Sequence, residues 1–196
     1  MFTTQDEWDR GCTQGRRYRK LNDAERILLD THLPPAGEVL ALDVGCGTGE
    51  LAAHLSSSGY TVDAVDWSET ALVEARTRHG DAARWLRLDI EGDDGASLNA
   101  GGYDLITLRL VAPFLTYRDR TLDVLGHRLR PGGALVLITP LAADTPAERR
   151  GIALAEDERA RPEPAARSDG GTALALNAMP YGPWLADLAL QDEPQN

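Results

Sequence analysis

The stretch that decides the fold is Val39-Leu40-Ala41-Leu42-Asp43-Val44-Gly45-Cys46-Gly47-Thr48-Gly49-Glu50-Leu51, in which an apolar strand runs into a glycine turn and then a helix. Glycine has no β-carbon, so it allows the backbone to bend sharply and to approach a ligand closely. The pattern is GxGxG, whereas a dinucleotide fingerprint has another glycine where Glu50 stands here. The turn therefore predicts a nucleotide-like ligand, and the acid at position 50 would repel a diphosphate.

A second strand ends in an acid about twenty positions beyond the glycines, in Tyr60-Thr61-Val62-Asp63-Ala64-Val65-Asp66-Trp67-Ser68. In a Rossmann-like sheet this acid lies at the carboxyl end of the neighbouring strand, where it can accept hydrogen bonds from two ribose hydroxyls. The indole of Trp67 is then placed to pack on a purine face. The alternative is that Asp66 caps the next helix and Trp67 belongs to the core, but the upstream glycine turn favours the ligand interpretation.

These two motifs and three later ones resemble the class I S-adenosylmethionine-dependent methyltransferases, particularly small bacterial enzymes that act on small molecules. The matching stretches follow the family order and together cover about residues 38 to 140: residues 40–55, 62–76, 86–90, 103–115 and 129–140. The resemblance implies that Asp66 binds the ribose, that Asp89 accepts from the adenine amino group and that the Ile90 backbone N–H meets a ring nitrogen. It also implies a set of residues around the methionine part of the cofactor: Asp43, Gly45, Cys46, Gly47 and Gly49.

The resemblance also implies that two further segments of the chain lie beside the expected site. In the family, the loop after the fourth strand faces the methyl group, and Arg109 in that loop is predicted to orient an acid or to bond to backbone carbonyls. The alternative for Arg109 is a structural role in tying down the loop. Trp8, Tyr18 and Arg19 resemble a lid over the cofactor carboxylate, with Tyr18 and Arg19 supplying charge complementarity. Their alternative is a surface arm ordered by packing of the aromatic rings.

Composition limits the functional classes. The chain has 196 residues, of which 42% are hydrophobic and 26% charged, and this balance is typical of one globular domain. Its formal net charge of −11 argues against a nucleic-acid partner, because phosphate backbones require clustered basic side chains. The basic cluster at residues 16–20 is short and isolated, so it is interpreted as a solvated surface or a contact to an anionic small molecule.

Cysteine and histidine usage points away from disulfides and metals. Cys12 and Cys46 are the only cysteines, and a disulfide at Cys46 would distort the glycine turn. The four histidines form no i, i+4 pair and none adjoins a cysteine, so no metal site is predicted. The polar start of the chain does not resemble a signal peptide, and no apolar stretch is long enough to span a bilayer. We therefore expect a cytoplasmic protein without a membrane partner.

Alternating helical and apolar segments predict an α/β fold: a Rossmann-like, doubly wound, mostly parallel sheet with helices on both faces. The first helix is expected over Asp23 to His32, and its apolar stripe is predicted to consist of Ala24, Ile27, Leu28 and Leu33. The later predicted helices are Glu50 to Ser57, Glu69 to Arg78 and Tyr117 to Leu129. The predicted strands are Val39 to Asp43, Thr61 to Val65, Arg84 to Leu88, Tyr103 to Leu108 and Ala134 to Thr139.

We divide the chain into a lid segment (1–36), a cofactor-binding core (37–140) and an atypical C-terminal completion of the same domain (141–196). The last part departs from the family pattern, because residues 161–171 are rich in Pro, Ala, Arg and Gly. Ala147 to Ala160 is interpreted as a charged helix. Thr172 to Met179 is interpreted as a sixth strand, and the alternative is an incomplete sheet whose edge a second copy of the chain covers, forming a homodimer.

The functional hypothesis is transfer of a methyl group from S-adenosylmethionine to an O or N atom of a small molecule, as in secondary metabolism, by direct displacement. The methyl sulfonium is already electrophilic, so the site needs mainly to hold the acceptor in line and exclude water, and no catalytic base is assigned. The alternatives are a non-catalytic protein of the same fold, an NAD-dependent oxidoreductase and a nucleic-acid methyltransferase. Glu50 argues against the oxidoreductase, and the acidic composition argues against the nucleic-acid enzyme.

Overall fold

The computed structural model describes Trp8, Arg10, residues 20–35 and 37–140, and the backbone of residues 172–177. Its helices are α1 (Asp23–His32), α2 (Glu50–Ser58), α3 (Glu69–His79) and α4 (Arg118–Gly126), with short 3₁₀ turns at Gly80–Ala82 and Ala112–Phe114. Its strands are β1 (Leu40–Val44), β2 (Thr61–Asp66), β3 (Arg84–Arg87), β4 (Tyr103–Arg109), β5 (Leu129–Thr139) and β6 (Thr172–Asn177).

The strands form one sheet in the order β3-β2-β1-β4-β5-β6, and every neighbouring pair is parallel. The chain reverses its direction of winding between β1 and β4, which leaves a crevice at the carboxyl ends of these strands. Apolar side chains of successive strand residues point to opposite faces, so each face packs on its own helices. One layer joins Leu42 and Ile106 to α4, and the other joins Ala41 and Leu105 to α1 and α2. The predicted fold class is confirmed.

Helix α1 has the predicted bounds, but the prediction that Ile27 faces inward is wrong, while Ala24 and Leu28 are partly buried. Ile27 is 64% exposed, whereas Glu25 and Leu29 are each 2% exposed. Asn22 and Glu25 form a capping box, in which the Asn22 side chain accepts from the Glu25 N–H and Glu25 accepts from the Asn22 N–H. The helix is rotated relative to the apolar pattern because Glu25 also has an ion-pair partner inside the protein, described below.

The start of the fifth strand also differs from the prediction. We expected a helix over Tyr117 to Leu129 and a strand from Ala134, but α4 ends at Gly126 and β5 begins at Leu129. Leu129 pairs with Tyr103, while two residues further along β4 the partner is Ala134. The Pro-Gly-Gly sequence at residues 131–133 therefore bulges within the strand rather than preceding it.

Of the two interpretations of the C-terminal part, the structure contains the sixth strand. Thr172–Asn177 pairs in parallel with β5, from Ala134 opposite Thr172 to Thr139 opposite Asn177. The predicted helix at 147–160, and the rest of residues 141–171 and 178–196, lie outside the described residues. The homodimer stays a prediction.

Near the amino ends of the strands, a polar network joins three strands, with Asp63 and Tyr103 buried and the Arg84 side chain half exposed. Asp63 accepts two hydrogen bonds from the Arg84 guanidinium, at 2.8 and 2.6 Å, and one from the Tyr103 hydroxyl at 2.6 Å. The same hydroxyl accepts from the Asn99 N–H at 2.8 Å. Burial and the hydrogen bond to Asp63 raise the pKa of Tyr103 to about 12, so this hydroxyl remains a donor at neutral pH.

We expect Tyr103→Phe to lower the free energy of unfolding by about 1 to 3 kcal/mol, because the buried Asp63 carboxylate loses a donor and the partly buried Asn99 N–H loses its acceptor. Urea denaturation measures the change. Tyr117→Phe is the matched control, since Tyr117 is 62% exposed. Equal losses in the two variants would contradict a structural role for the Tyr103 hydroxyl.

Candidate functional site

In the glycine turn between β1 and α2, the backbone conformation and the close packing both disfavour residues that have a side chain. Gly45 and Gly47 have φ of +65° and +54°, a region that favours glycine. A β-carbon on Gly45 would lie 2.4 Å from a Val111 methyl group, and one on Gly49 would lie 2.6 Å from the Trp85 ring. A β-carbon on Gly47 would meet no atom within 4 Å. The turn is thus packed on both sides and open at Gly47.

Asp66, the last residue of β2, binds this turn directly. One carboxylate oxygen accepts from the Gly47 N–H at 2.8 Å, and the other accepts from the Ser68 N–H at 2.9 Å. Ser68 itself caps α3 by accepting from the Ala71 N–H. The Asp66 side chain is buried. Each carboxylate oxygen has two lone pairs and can accept more than one hydrogen bond.

Asp43 is a buried carboxylate with one unpartnered oxygen. Its Oδ1 accepts from the Thr107 hydroxyl at 2.8 Å, while its Oδ2 is buried and makes no hydrogen bond. Burial raises the pKa of Asp43 to about 7, although the Thr107 hydrogen bond and the charge of Arg109 act to lower it and the neighbouring Asp66 acts to raise it. A buried polar atom without a partner is costly in a folded protein, and it is a common feature of a site that receives a ligand.

One pocket at the carboxyl ends of the strands brings most predicted site residues together. Its lining includes Gly45 and Gly47 of the glycine turn but not Gly49, together with the three predicted acids, Cys46, Trp67, Ile90 and Arg109. Asp89 lies in the exposed turn after β3, where its Oδ1 accepts from the Glu91 N–H at 3.0 Å. The sulfur of Cys46 lies near the Gly47 carbonyl, and burial raises the pKa of this thiol well above its usual range. The arrangement places carboxylates and small residues around one concave space.

Arg109 at the end of β4 lies against the start of α1. Its Nε and Nη2 donate to the two carboxylate oxygens of Glu25, at 3.2 and 3.1 Å, and Nη2 also donates to the Lys20 carbonyl at 3.1 Å. The adjoining Leu21 N–H donates to Glu50 at 3.0 Å. Arg109 therefore lines the pocket and also ties down the chain, as the structural interpretation of this residue expects, while its role toward a ligand stays a prediction.

The rim of the pocket has an aromatic pair. The Trp8 and Phe114 rings meet edge to face, with centroids 5.3 Å apart and an interplanar angle of 72°, and both residues line the pocket. This contact agrees with a position of Trp8 above the site. Tyr18 and Arg19 lie outside the described residues, so their assignment to the cofactor stays a prediction.

Sequence reasoning missed three residues that shape this site. Glu25 has the signature of a surface helix cap, and nothing near it in sequence indicates burial. Glu50 argued against a pyrophosphate, but its contact to Leu21 was not foreseen. Thr107 offered a signal, because it is a polar residue in an otherwise apolar strand, and it pairs with Asp43 across β1 and β4.

Two further findings concern metal-binding groups and membrane-spanning helices. Within residues 20–35 and 37–140 and at Trp8 and Arg10, no group of three or more His, Cys, Asp or Glu side chains is placed to hold a metal ion. Among the helices that the structure describes, none has the length and apolar character needed to cross a bilayer.

Comparison with known proteins extends these observations. Residues 42–135 match a family model described as a methyltransferase domain. An uncharacterized methyltransferase of Mycobacterium tuberculosis is 36% identical over 126 residues, which are 64% of this chain and 60% of the relative. A ubiquinone biosynthesis O-methyltransferase of Thiobacillus denitrificans is 28% identical over 127 residues, 64% of this chain and 54% of the relative. The chain thus spans less than two thirds of the length of these relatives.

Solved structures agree on the fold. The plantazolicin methyltransferase BpumL in complex with S-adenosylhomocysteine has a TM-score of 0.56 and 18% identity, covering 68% of this chain and 56% of that protein. Residues 42–135 are thus similar to a methyltransferase domain in sequence, and the fold is similar to that of a methyltransferase solved with S-adenosylhomocysteine.

Proposed function

We propose that this protein transfers the methyl group of S-adenosylmethionine to an oxygen or nitrogen atom of a small molecule by direct in-line displacement. The observation that carries the proposal is the buried, unpartnered Oδ2 of Asp43 in the same pocket as Asp66 and the open Gly47. A dinucleotide would instead place a diphosphate beside Glu50, which is unfavourable.

The residues present fit the cofactor. Asp43 Oδ2 is an acceptor suited to the ammonium of the methionine part, and Gly47 leaves room for it. The acceptor capacity of the Asp66 carboxylate suits the ribose hydroxyls. Asp89 and the Ile90 backbone are assigned to adenine, and Trp67 to the purine face. Within the pocket lining, Cys46 is assigned to the turn that faces the methionine part.

The bound cofactor supplies an electrophilic methyl group with a neutral leaving sulfur. The chain contributes binding, orientation and exclusion of water, for which the Trp8 and Phe114 pair at the rim is suited. We assign no general base. The domain division into 1–36, 37–140 and 141–196 is part of this proposal, and the contacts of Lys20 and Leu21 with Arg109 and Glu50 support a lid preceding the core.

A small-molecule acceptor is supported by the net charge of −11, which is unfavourable beside a phosphate backbone. The Thiobacillus denitrificans relative is named an O-methyltransferase of ubiquinone biosynthesis, which supports an oxygen of a small molecule as the acceptor atom. A role in secondary metabolism and a cytoplasmic location are inferred from the sequence alone.

The proposal is tested by calorimetric titration of the protein with S-adenosylmethionine, S-adenosylhomocysteine and NAD. We expect binding of the first two, and we expect Asp66→Ala to weaken both by about 10- to 100-fold through loss of charge-assisted hydrogen bonds. Asp123→Ala, which removes an exposed carboxylate on α4, is the control and should bind as the wild type does.

Two results would count against the proposal. Binding of NAD in place of S-adenosylmethionine would favour an oxidoreductase. Binding of S-adenosylmethionine without release of S-adenosylhomocysteine across diverse small acceptors would favour a non-catalytic protein of the same fold.

A further inference from the structure

The ion pair between Glu25 and Arg109 is buried at the edge of the cofactor pocket. The Glu25 side chain is 1% exposed and the Arg109 side chain 12% exposed. Both carboxylate oxygens of Glu25 accept from Arg109, at 3.2 and 3.1 Å. Removing one member of such a pair leaves an uncompensated charge in a region of low dielectric. The negative charge of Glu25 therefore sets how much net positive charge Arg109 presents to its surroundings.

Those surroundings include the site of a cationic ligand. Arg109 lines the same pocket as Asp43 and Gly47, and its charge acts on the Asp43 carboxyl. S-adenosylmethionine has a positive sulfonium, whereas S-adenosylhomocysteine has a neutral thioether in an otherwise matching structure. An uncompensated guanidinium in this pocket would repel the first ligand more than the second.

We propose that Glu25 is a positioning residue which, by holding and neutralising Arg109 beside the pocket, allows the site to accept the cationic substrate form of the cofactor and not only its neutral product. This inference rests on the proposed function. Glu25 acts through Arg109 and is not placed against the cofactor itself. It also fixes α1, because Arg109 bonds to the Lys20 carbonyl just before the helix.

The test is the ratio of the dissociation constants of S-adenosylmethionine and S-adenosylhomocysteine, measured by calorimetry at low ionic strength. Glu25→Gln should raise this ratio by about 5- to 15-fold, the change expected for one unit charge acting over about 10 to 15 Å at an effective dielectric constant near 20. Arg109→Gln should shift the ratio in the opposite direction. The double variant E25Q/R109Q should return it close to the wild-type value, and Glu25→Asp, which keeps the charge, should leave it nearly unchanged.

Asp104→Asn is the matched control, because it removes one negative charge from an ion pair with Arg130 at the other end of the same strand. A purely structural role of Glu25 would weaken both ligands equally and leave the ratio unchanged, which would overturn the inference. If Glu25→Gln does not fold, Arg109→Gln still decides, since an unchanged ratio in that variant contradicts the charge argument. A wild-type protein that binds neither ligand would refute the proposed function instead.

Discussion

Asp43→Asn is expected to lower the affinity for S-adenosylhomocysteine by about 30- to 1000-fold at pH 8. The reason is that Asp43 Oδ2 is buried without a partner, and it is the acceptor that we assign to the ligand ammonium. Loss of one partner from a buried charge-assisted hydrogen bond costs about 2 to 4 kcal/mol, which gives this range of affinity. Calorimetric titration measures it.

The same substitution should alter how stability depends on pH. The pKa of Asp43 is about 7 in the folded protein, whereas the ordinary pKa of an aspartate, which applies to the unfolded chain, is 3.8. Between these values the folded state binds more protons than the unfolded state. The contribution of this group to the free energy of unfolding therefore decreases as the pH rises from about 4 to 7, and it changes no further above pH 7. Each pKa unit corresponds to about 1.4 kcal/mol. Relative to Asp43→Asn, the wild type should lose about 2 to 3 kcal/mol between pH 5 and pH 8.

Denaturant titrations of both proteins at pH 5 and pH 8 measure this difference, with Asp123→Asn as a control for an exposed carboxylate. The wild type should also bind S-adenosylhomocysteine up to about tenfold more tightly at pH 8 than at pH 6, because only about one tenth of Asp43 is ionised a unit below its pKa. Parallel stability profiles for the wild type and Asp43→Asn would contradict the assignment of a raised pKa.

The parts of this molecule that the sequence predicted well depend on local chemistry. Alternating glycines after an apolar strand permit few backbone paths, so the turn, the strand before it and the helix after it follow from residues 39–51 alone. The acid that ends β2 is likewise predictable, because parallel strands bring their carboxyl ends to one edge. The ordered motifs sufficed to predict the fold class.

The parts that were predicted incorrectly depend on distant partners. Local periodicity favours Ile27 as a buried residue of α1, but Glu25 faces inward because it meets Arg109, 84 residues later in the chain. No local pattern contains that information. The start of β5 is similar, since Leu129 joins the strand only because Tyr103 of β4 is available as its neighbour. Electrostatic partners and strand pairing thus override propensity at both positions.

Two glycines of the turn should respond to the same substitution in different ways. Gly45→Ala should lower the free energy of unfolding by about 2 to 4 kcal/mol, because the new methyl group both strains a backbone at φ +65° and meets a Val111 methyl at 2.4 Å. Adding Val111→Ala should recover the steric part, so the two substitutions should not be additive. Urea denaturation of the single and double variants measures this coupling.

Gly47→Ala should cost only about 1 kcal/mol of stability, since its β-carbon meets nothing within 4 Å, yet it should weaken S-adenosylhomocysteine binding by at least about tenfold. The physical reason is that the methyl group would occupy space in the pocket that the methionine part requires. Gly132→Ala is the matched control, because Gly132 has φ of +77° and open space around it but lies in β5 away from the pocket lining. If Gly47→Ala binds the ligand as tightly as Gly132→Ala does, the backbone at Gly47 does not approach the cofactor, and the binding mode assigned to the glycine turn is wrong.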